Sequence, residues 1–379
     1  MKILFVEQLG KNNWEYIYSA AKYLAEGNDV TCYMSDTTPK SSKNYNFKIE
    51  YGFNKAYEGN FVNKAVNYLK ALKKLKKYIK TGKFDVVHFE WFSLPWIEWI
   101  YIKSLKRYAK IVITVNDVIP FEQRPLEMKC LEWIYRSADA ILVHTNETLK
   151  LFNKTYRTNN YKSVITAAFR DKNDYKKVEK NEARKKLGIP LNKDVVLYFG
   201  TVRHSKGLDV LIKAFPEALK INPNLFLLGA GAFHAVDEKL YKSLVTEKIT
   251  NESGKLDFKH IPDEMLPLYF SAADILIVPY REIYQSGIAQ FGLIYDMPII
   301  GSDILRLGEM VRKGLNGETF KNEDFKDLAK VMGELSQNKD KLKKYSQGSH
   351  DISVTEYSVE ERARRTLETY KVVVGGKTV

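Results

Sequence analysis

Short apolar runs alternate with helical spacing along almost the whole chain. ILFV, VVHF, IVITV, AILV, VVLYF, LFLL and ILIV each stand between amphipathic stretches. That alternation predicts an α/β protein of parallel strands joined by crossover helices. Strands are expected at Lys2–Val6, Val30–Tyr33, Val86–Phe89, Ile111–Val115 and Ala140–His144. Helices are expected over Trp14–Leu24, Asn63–Ile79, Trp96–Arg107, Leu126–Ser137 and Glu147–Phe152. A polar, charged stretch from Arg170 to Lys193, holding a short helix at Asn181–Leu187, then interrupts the pattern. Strands resume at Val195–Phe199, Leu225–Leu228, Ile275–Val278 and Ile299–Gly301, and a helix over Val359–Val372 closes the chain. A chain of 379 residues exceeds one ordinary core, which predicts two domains. The expected division is 1–180, 181–355 and a C-terminal helical segment 356–379 that returns to the first domain. Open α/β sheets bind ligands beyond the carboxyl ends of their strands, so two Rossmann-like halves facing a cleft are expected.

The stretch VVLYFGTVRHSKGLDVLIKAF carries the strongest chemical signal. A buried strand leads through a turn with Arg203 and Lys206 into a helix near Gly207. The helix end supplies unsatisfied N–H groups and partial positive charge, and the side chains add full charges, an arrangement suited to a diphosphate. Gly200 and Gly207 permit a sharp turn and close approach of a ligand to the backbone. The plainer alternative is a βα connection with two solvated cations. His204 sits between the two cations.

A second stretch, SAADILIVPYREIYQSGIAQFGLIYDMPIIGSD, again runs from a strand through a small-residue turn to a helix. The N–H groups of Ser286, Gly287 and Ile288 suit phosphate oxygens, and the Ser286 hydroxyl adds a donor. Ser286 also reads as an ordinary helix N-cap. Glu282, beside this turn, suits the hydroxyls of a sugar. Between the two turns, Gly229 and Gly231 follow a strand, either as a plain turn or where backbone lies against a ligand.

Other chemistries fit poorly. After the first strand only Gly10 is present, so the dinucleotide fingerprint is missing, and no Walker-type GxxxxGK[ST] occurs. Cys32 and Cys130 are too few for a disulfide framework or a zinc site. The six histidines show no metal-ligand spacing. No apolar run approaches the ~18 residues of a membrane span.

FGTVRHSKGLDVLIKAF, LFLLGAGAF, SAADILIVPYREIYQSG, MPIIGSD and LGEMVRKGLNGETF together resemble the donor-binding domain of GT-B glycosyltransferases similar to glycosyltransferase family 4, the group 1 glycosyltransferases. FDVVHFEWFSLP, IVITVNDVIP and SADAILVHT resemble that family's acceptor domain. The resemblance implies a nucleotide-diphosphate sugar as co-substrate, with no other cofactor and no metal. It places Arg203 and Lys206 on the diphosphate, where they stabilise the departing nucleoside diphosphate. It places the turn Ser286–Ile288 on the distal phosphate, Glu282 on donor-sugar hydroxyls, and backbone near Ile261 on the base. Gly200, Gly229, Gly231 and Gln290 complete the implied donor set.

Three departures stand out. The family's paired glutamates are incomplete: Gln290 lies eight residues after Glu282, and counting back from Pro298 puts the second glutamate's place at Phe291. Where many relatives carry His-Asp, this chain has Asn116-Asp117, and asparagine cannot shuttle a proton near neutral pH. The glycine pair after the first strand is missing. Retention of configuration is expected from the resemblance; an inverting reaction needs a base at the acceptor hydroxyl, for which Asp117 and Glu7 are the candidates, with Gly10 and Asn116 also on the acceptor side. The departures motivate an alternative, a catalytically degenerate GT-B protein that binds nucleotide sugar or a partner enzyme. A GT-B-like epimerase would need paired acid/base carboxylates that the sequence does not place.

The formal charge of +14 attracts anionic partners. Lys64 to Lys83 holds eight lysines and no acid, with apolar residues at helical spacing. EWFSLPWIEWIY adds three tryptophans. A basic amphipathic helix beside aromatic rings predicts an anionic membrane surface as a partner and a glycan or lipid-linked acceptor in polysaccharide or cell-envelope biosynthesis. The alternative is a solvated face on a docked helix. Nucleic acid is not an expected partner, for want of any recognition signature. The expected location is cytoplasmic, peripheral on the inner face of the cell membrane.

Overall fold

The computed structural model describes residues 1–8, 14–38, 44–53, 61–120, 124–166, 168–234, 238–283 and 285–375. The chain divides into two compact units, Met1–Arg170 with the segment from Ser358 onward, and Asp171–Tyr357.

Unit 1 runs β1 (Lys2–Glu7), α1 (Trp14–Leu24), β2 (Asp29–Met34), β3 (Lys48–Tyr51), α2 (Phe61–Gly82), β4 (Val86–Phe89), α3 (Pro95–Leu105), β5 (Lys110–Thr114), α4 (Glu127–Ser137), β6 (Ala140–Val143), α5 (Asn146–Thr155) and β7 (Tyr161–Val164). The strands form one sheet in the order β3-β2-β1-β4-β5-β6-β7, every pairing parallel. Central strands are buried on both faces, which is why they read as unbroken apolar runs.

Unit 2 runs α6 (Lys180–Leu187), β8 (Asp194–Phe199), α7 (Leu208–Ile221), β9 (Leu225–Ala230), α8 (Glu238–Lys248), β10 (Gly254–Asp257), α9 (Leu266–Ala272), β11 (Ile275–Val278), α10 (Gly287–Ile294), β12 (Ile299–Ser302), β13 (Gly317–Phe320), α11 (Phe325–Gln337) and α12 (Lys339–Val354). Its sheet is also parallel, in the order β10-β9-β8-β11-β12-β13. The last helix, α13 (Val359–Gly375), belongs to unit 1.

The unit boundary falls after Arg170, ten residues before the sequence reading placed it. The intervening segment is anchored in unit 2. Lys172 Nζ binds Asp296 at 2.6 Å and Ser353 at 2.6 Å, the Val178 amide donates to Ser271, and the Tyr175 ring meets Phe291. α13 lies against α1, where the Arg362 guanidinium covers the Tyr16 ring at 4.0 Å and donates to Ser19 Oγ at 3.1 Å. Ala363, Tyr370 and Val373 enter the same core as Ile17, Ala21, Val112 and Leu142.

α2 buries Tyr68, Ala71, Leu72, Leu75 and Ile79 and exposes its lysines except Lys76, which is half-buried and donates to Ser104 Oγ at 2.8 Å. Among the described residues no helix is long and apolar enough to cross a membrane. Cys32 and Cys130 are buried free thiols.

Candidate active site

In each sheet the strand order reverses once, between β8 and β11 in unit 2 and between β1 and β4 in unit 1. Loops diverge at such a point and leave a crevice. In unit 2 the two loops at the reversal are the two anion-type turns of the sequence.

Gly200 follows β8 and lies against α10; a Cβ built on it would stand 3.3 Å from Ile288 Cγ1. Gly231 has φ +134°, and a Cβ there would fall 2.0 Å from the Gly200 carbonyl oxygen, so these two loops touch through bare backbone. Gly229 is different. It sits within β9, and the space of its missing side chain is taken by Leu256 on β10, so it serves sheet packing.

The Arg203–Lys206 turn rests on the continuation of β11. Lys206 Nζ lies 3.9 Å from the centroid of the buried Tyr280 ring, a cation–π contact. Burial, then the nearby Arg203 charge, pushes the Lys206 ammonium down to about 7. Arg203 is exposed, and neither cation has a carboxylate partner among the described residues. The Tyr280 hydroxyl accepts a hydrogen bond from Ser286 Oγ at 3.3 Å. One tyrosine therefore links the cationic turn to the start of α10. Ser286 caps that helix, its Oγ accepting from the Ala289 amide at 3.0 Å. The Gly287 and Ile288 amides have no partner among the described residues, leaving first-turn donors for an anion.

Arg281 is a residue that motif reading passed over. Its guanidinium binds both Asp209 oxygens, at 2.9 and 2.7 Å, and the His204 carbonyl at 2.6 Å, while its amide donates to the Ser205 carbonyl at 2.9 Å. It clasps the cationic turn without being part of it. The sequence signal was an arginine after the strand in VPYR, which no spacing rule ties to Asp209.

Other expected donor residues separate. Glu282 is exposed next to Arg281, and Ile261 is buried in the loop after β10. Gln290 is 1% exposed on the inner face of α10 and so does not offer its side chain to a donor. Phe291 is also core, against Tyr175, Phe270 and Tyr295. A short helix laid on a sheet buries most of its residues, which removes both positions from the crevice.

In unit 1, Glu7 ends β1 and Glu90 follows β4 at the reversal, and both are buried. Glu7 has no exposed surface, so it does not face an acceptor as the sequence reading expected. Burial, reinforced by the Glu7 charge, holds the Glu90 carboxyl up at about 8, and its Oε2 has no partner among the described residues. His88 pairs with Tyr370 at 2.6 Å and with Thr114 at 2.7 Å; burial beside Arg362 brings it down to about 3. Asn116 is committed at both ends, donating to the Glu90 carbonyl at 3.1 Å and pairing with His144 at 3.1 Å. Asp117 is half-buried and lines a cavity of about 360 Å³ with Glu90, Trp91, Phe92 and Tyr135. Gly10 lies outside the described residues.

Trp91, Trp96 and Trp99 are partly buried, and the latter two are engaged. Trp96 donates to the Pro125 carbonyl under the Arg124 guanidinium, and Trp99 meets Trp133 at 4.8 Å. Among the described residues no group of three or more His, Cys, Asp or Glu is placed to hold a metal ion.

Residues 179–351 match the family model of the glycosyl transferases group 1, and residues 15–166 that of glycosyltransferase family 4. A D-inositol 3-phosphate glycosyltransferase of Nocardia farcinica is 24% identical over 288 residues, 69% of this chain and 61% of its own length. The match thus spans less than two thirds of that relative. Sucrose-phosphate synthase from Thermosynechococcus elongatus shares the fold over 100% of both chains, with a TM-score of 0.78 and 15% identity. Anabaena HepE, solved in complex with UDP, does so over 97% of this chain and 99% of its own, with a TM-score of 0.76 and 16% identity. With family models matched on both units and two parallel Rossmann-like sheets, the chain belongs to the group 1 and family 4 glycosyltransferases and has the GT-B fold.

Proposed function

We propose that the protein transfers a sugar from a nucleoside-diphosphate sugar to a glycan or lipid-linked acceptor in polysaccharide or cell-envelope biosynthesis, with retention of configuration. The observation that carries this reading is the contiguous set Arg203, Lys206, Tyr280 and Ser286–Ile288 at the strand reversal of unit 2. In transfer, the bond from the sugar's anomeric carbon to the diphosphate oxygen breaks and a bond to the acceptor oxygen forms. Negative charge grows on the leaving diphosphate, where two basic side chains without a carboxylate partner and two amides without an acceptor, among the described residues, concentrate positive potential. The HepE relative, solved with UDP, supports a nucleotide donor. Glu282 is the candidate to hold donor-sugar hydroxyls, and Asp117 would receive the acceptor proton only in an inverting reaction.

A second reading, a nucleotide-sugar binder without catalysis, is favoured by Phe291 in the core and by Asn116 tied to Glu90 and His144. A thermal-shift screen of uridine, guanosine and adenosine diphosphate sugars identifies the donor. Slow hydrolysis of that donor, lost in Arg203→Ala or Lys206→Ala, supports transfer; binding without turnover across a broad acceptor panel supports the binder.

The exposed face of α2, with Lys70, Lys73, Lys74 and Lys77 beside Val66 and Leu69, suits an anionic membrane surface. Salt-sensitive co-sedimentation with anionic vesicles tests this, and its absence leaves the helix a solvated face.

A further inference from the structure

Unit 2 holds a cavity at the opposite end of its sheet from the donor turns. About 440 Å³ in volume, it lies by the strand starts, among Asp274 before β11, Pro298 before β12 and the first turns of α12. That volume suits a small-molecule ligand.

Lys177, Lys180, Lys339 and Lys343 line it, against the carboxylates of Asp274 and Asp296. Both carboxylates are already saturated. Asp274 takes Lys180 at 2.7 Å, Arg184 at 2.7 Å and the Val195 amide at 2.8 Å. Asp296 takes Lys172 at 2.6 Å and Lys177 at 2.5 Å. Lys339 pairs with Asp194 outside the cavity wall, and Lys343 has no carboxylate partner among the described residues. The wall also includes Tyr295, 5% exposed, whose hydroxyl has no hydrogen-bond partner among the described residues. Excess ammonium charge in a concave, partly apolar wall focuses positive potential.

We infer that this cavity binds a small phosphate-bearing molecule at a site distinct from the donor turns. Several flexible ammonium groups around one space suit a compact group of more than one negative charge, as lysines do when they bind phosphate as point charges. α10 connects the two places: Ser286 caps its start, and Tyr295, in the cavity wall, follows its last residue.

Calorimetric titration of inorganic pyrophosphate into the full chain carrying Arg203→Ala with Lys206→Ala isolates the site from the donor turn. One saturable site is expected to remain. Lys343→Glu should weaken it by about tenfold or more, whereas Lys344→Glu, on an exposed neighbour outside the cavity, should leave it unchanged. If the double substitution prevents folding, the same two lysine variants are compared in the otherwise unsubstituted protein. No residual binding, equal weakening by both variants, or binding to phosphatidylglycerol vesicles without binding to pyrophosphate overturns the assignment. Donor affinity lost in the double variant bears on the donor site alone, so the two readings fail separately.

Discussion

Lys206 rests on the face of Tyr280, and burial brings its ammonium down to about 7 from 10.5. In the free protein, between those values, the unfolded lysine holds a proton that the folded one has lost. Its burial therefore costs stability at neutral pH, a cost relieved as pH rises toward 10.5. A bound diphosphate restores the charge, so donor binding takes up a proton above pH 7. Donor affinity should then fall between pH 7 and 9 by up to about tenfold per unit, and Lys206→Ala should lower affinity by about ten- to a hundredfold and abolish that slope. Calorimetry in buffers of different ionisation enthalpy reads both effects; a slope unchanged in Lys206→Ala refutes the assignment. Glu90 shows the opposite sense. Its folded value of about 8 lies above the ordinary 4.5, so the unfolded chain sheds a proton first. Stability contributed by Glu90 is present below pH 4.5 and declines as pH rises to 8. Urea unfolding should show a flatter pH profile for Glu90→Gln across that window, and an equally steep one would argue against a neutral Glu90.

The donor turn is shaped by elements it does not contain. Arg281, following β11, clasps the turn ahead of α7 through Asp209 and the His204 carbonyl. Arg281→Ala should cost about 2–3 kcal/mol of stability, since it leaves a largely buried Asp209 with only a 3.3 Å bond from Tyr241 and Lys213 at 4.0 Å among the described residues. It should also weaken donor binding about tenfold, with Arg281→Lys restoring only part because ammonium cannot span both oxygens. Comparing donor Kd with urea midpoints separates the two effects. Gly207 has φ +65°, and a Cβ on it would fall 1.8 Å from the Pro279 carbonyl oxygen. Gly207→Ala should therefore cost roughly 2 kcal/mol or more and loosen Lys206 with it. Wild-type melting and donor affinity in this variant would contradict the contact.

At the scale of the molecule, α13 completes a unit to which it is not adjacent in sequence. Arg362, Ala363, Tyr370 and Val373 sit in the core of unit 1. A chain ending at Tyr357 should leave Met1–Arg170 open to proteolysis while Asp171–Tyr357 stays resistant, as limited digestion and mass spectrometry would show. Resistance of both parts would mean that unit 1 is complete without its last helix.

The doubly covered strands were legible because burial on both faces writes an apolar run into the chain. The edge strands β3, β7, β10 and β13 were not. KIEY, YKSV, GKLD and GETF are polar, half-exposed segments with no such run, and only a neighbouring strand makes them strands. The cationic turn and the Ser286 cap were readable, since helix-end chemistry is local. Tyr280 as the link between them, the reach of Arg281 to Asp209, and the burial of Glu7 and Gln290 depended on which loops the parallel sheet brings together. Local sequence determined the elements and their end groups; tertiary packing alone decided which of those groups meet, because burial and contact are properties of neighbours distant along the chain.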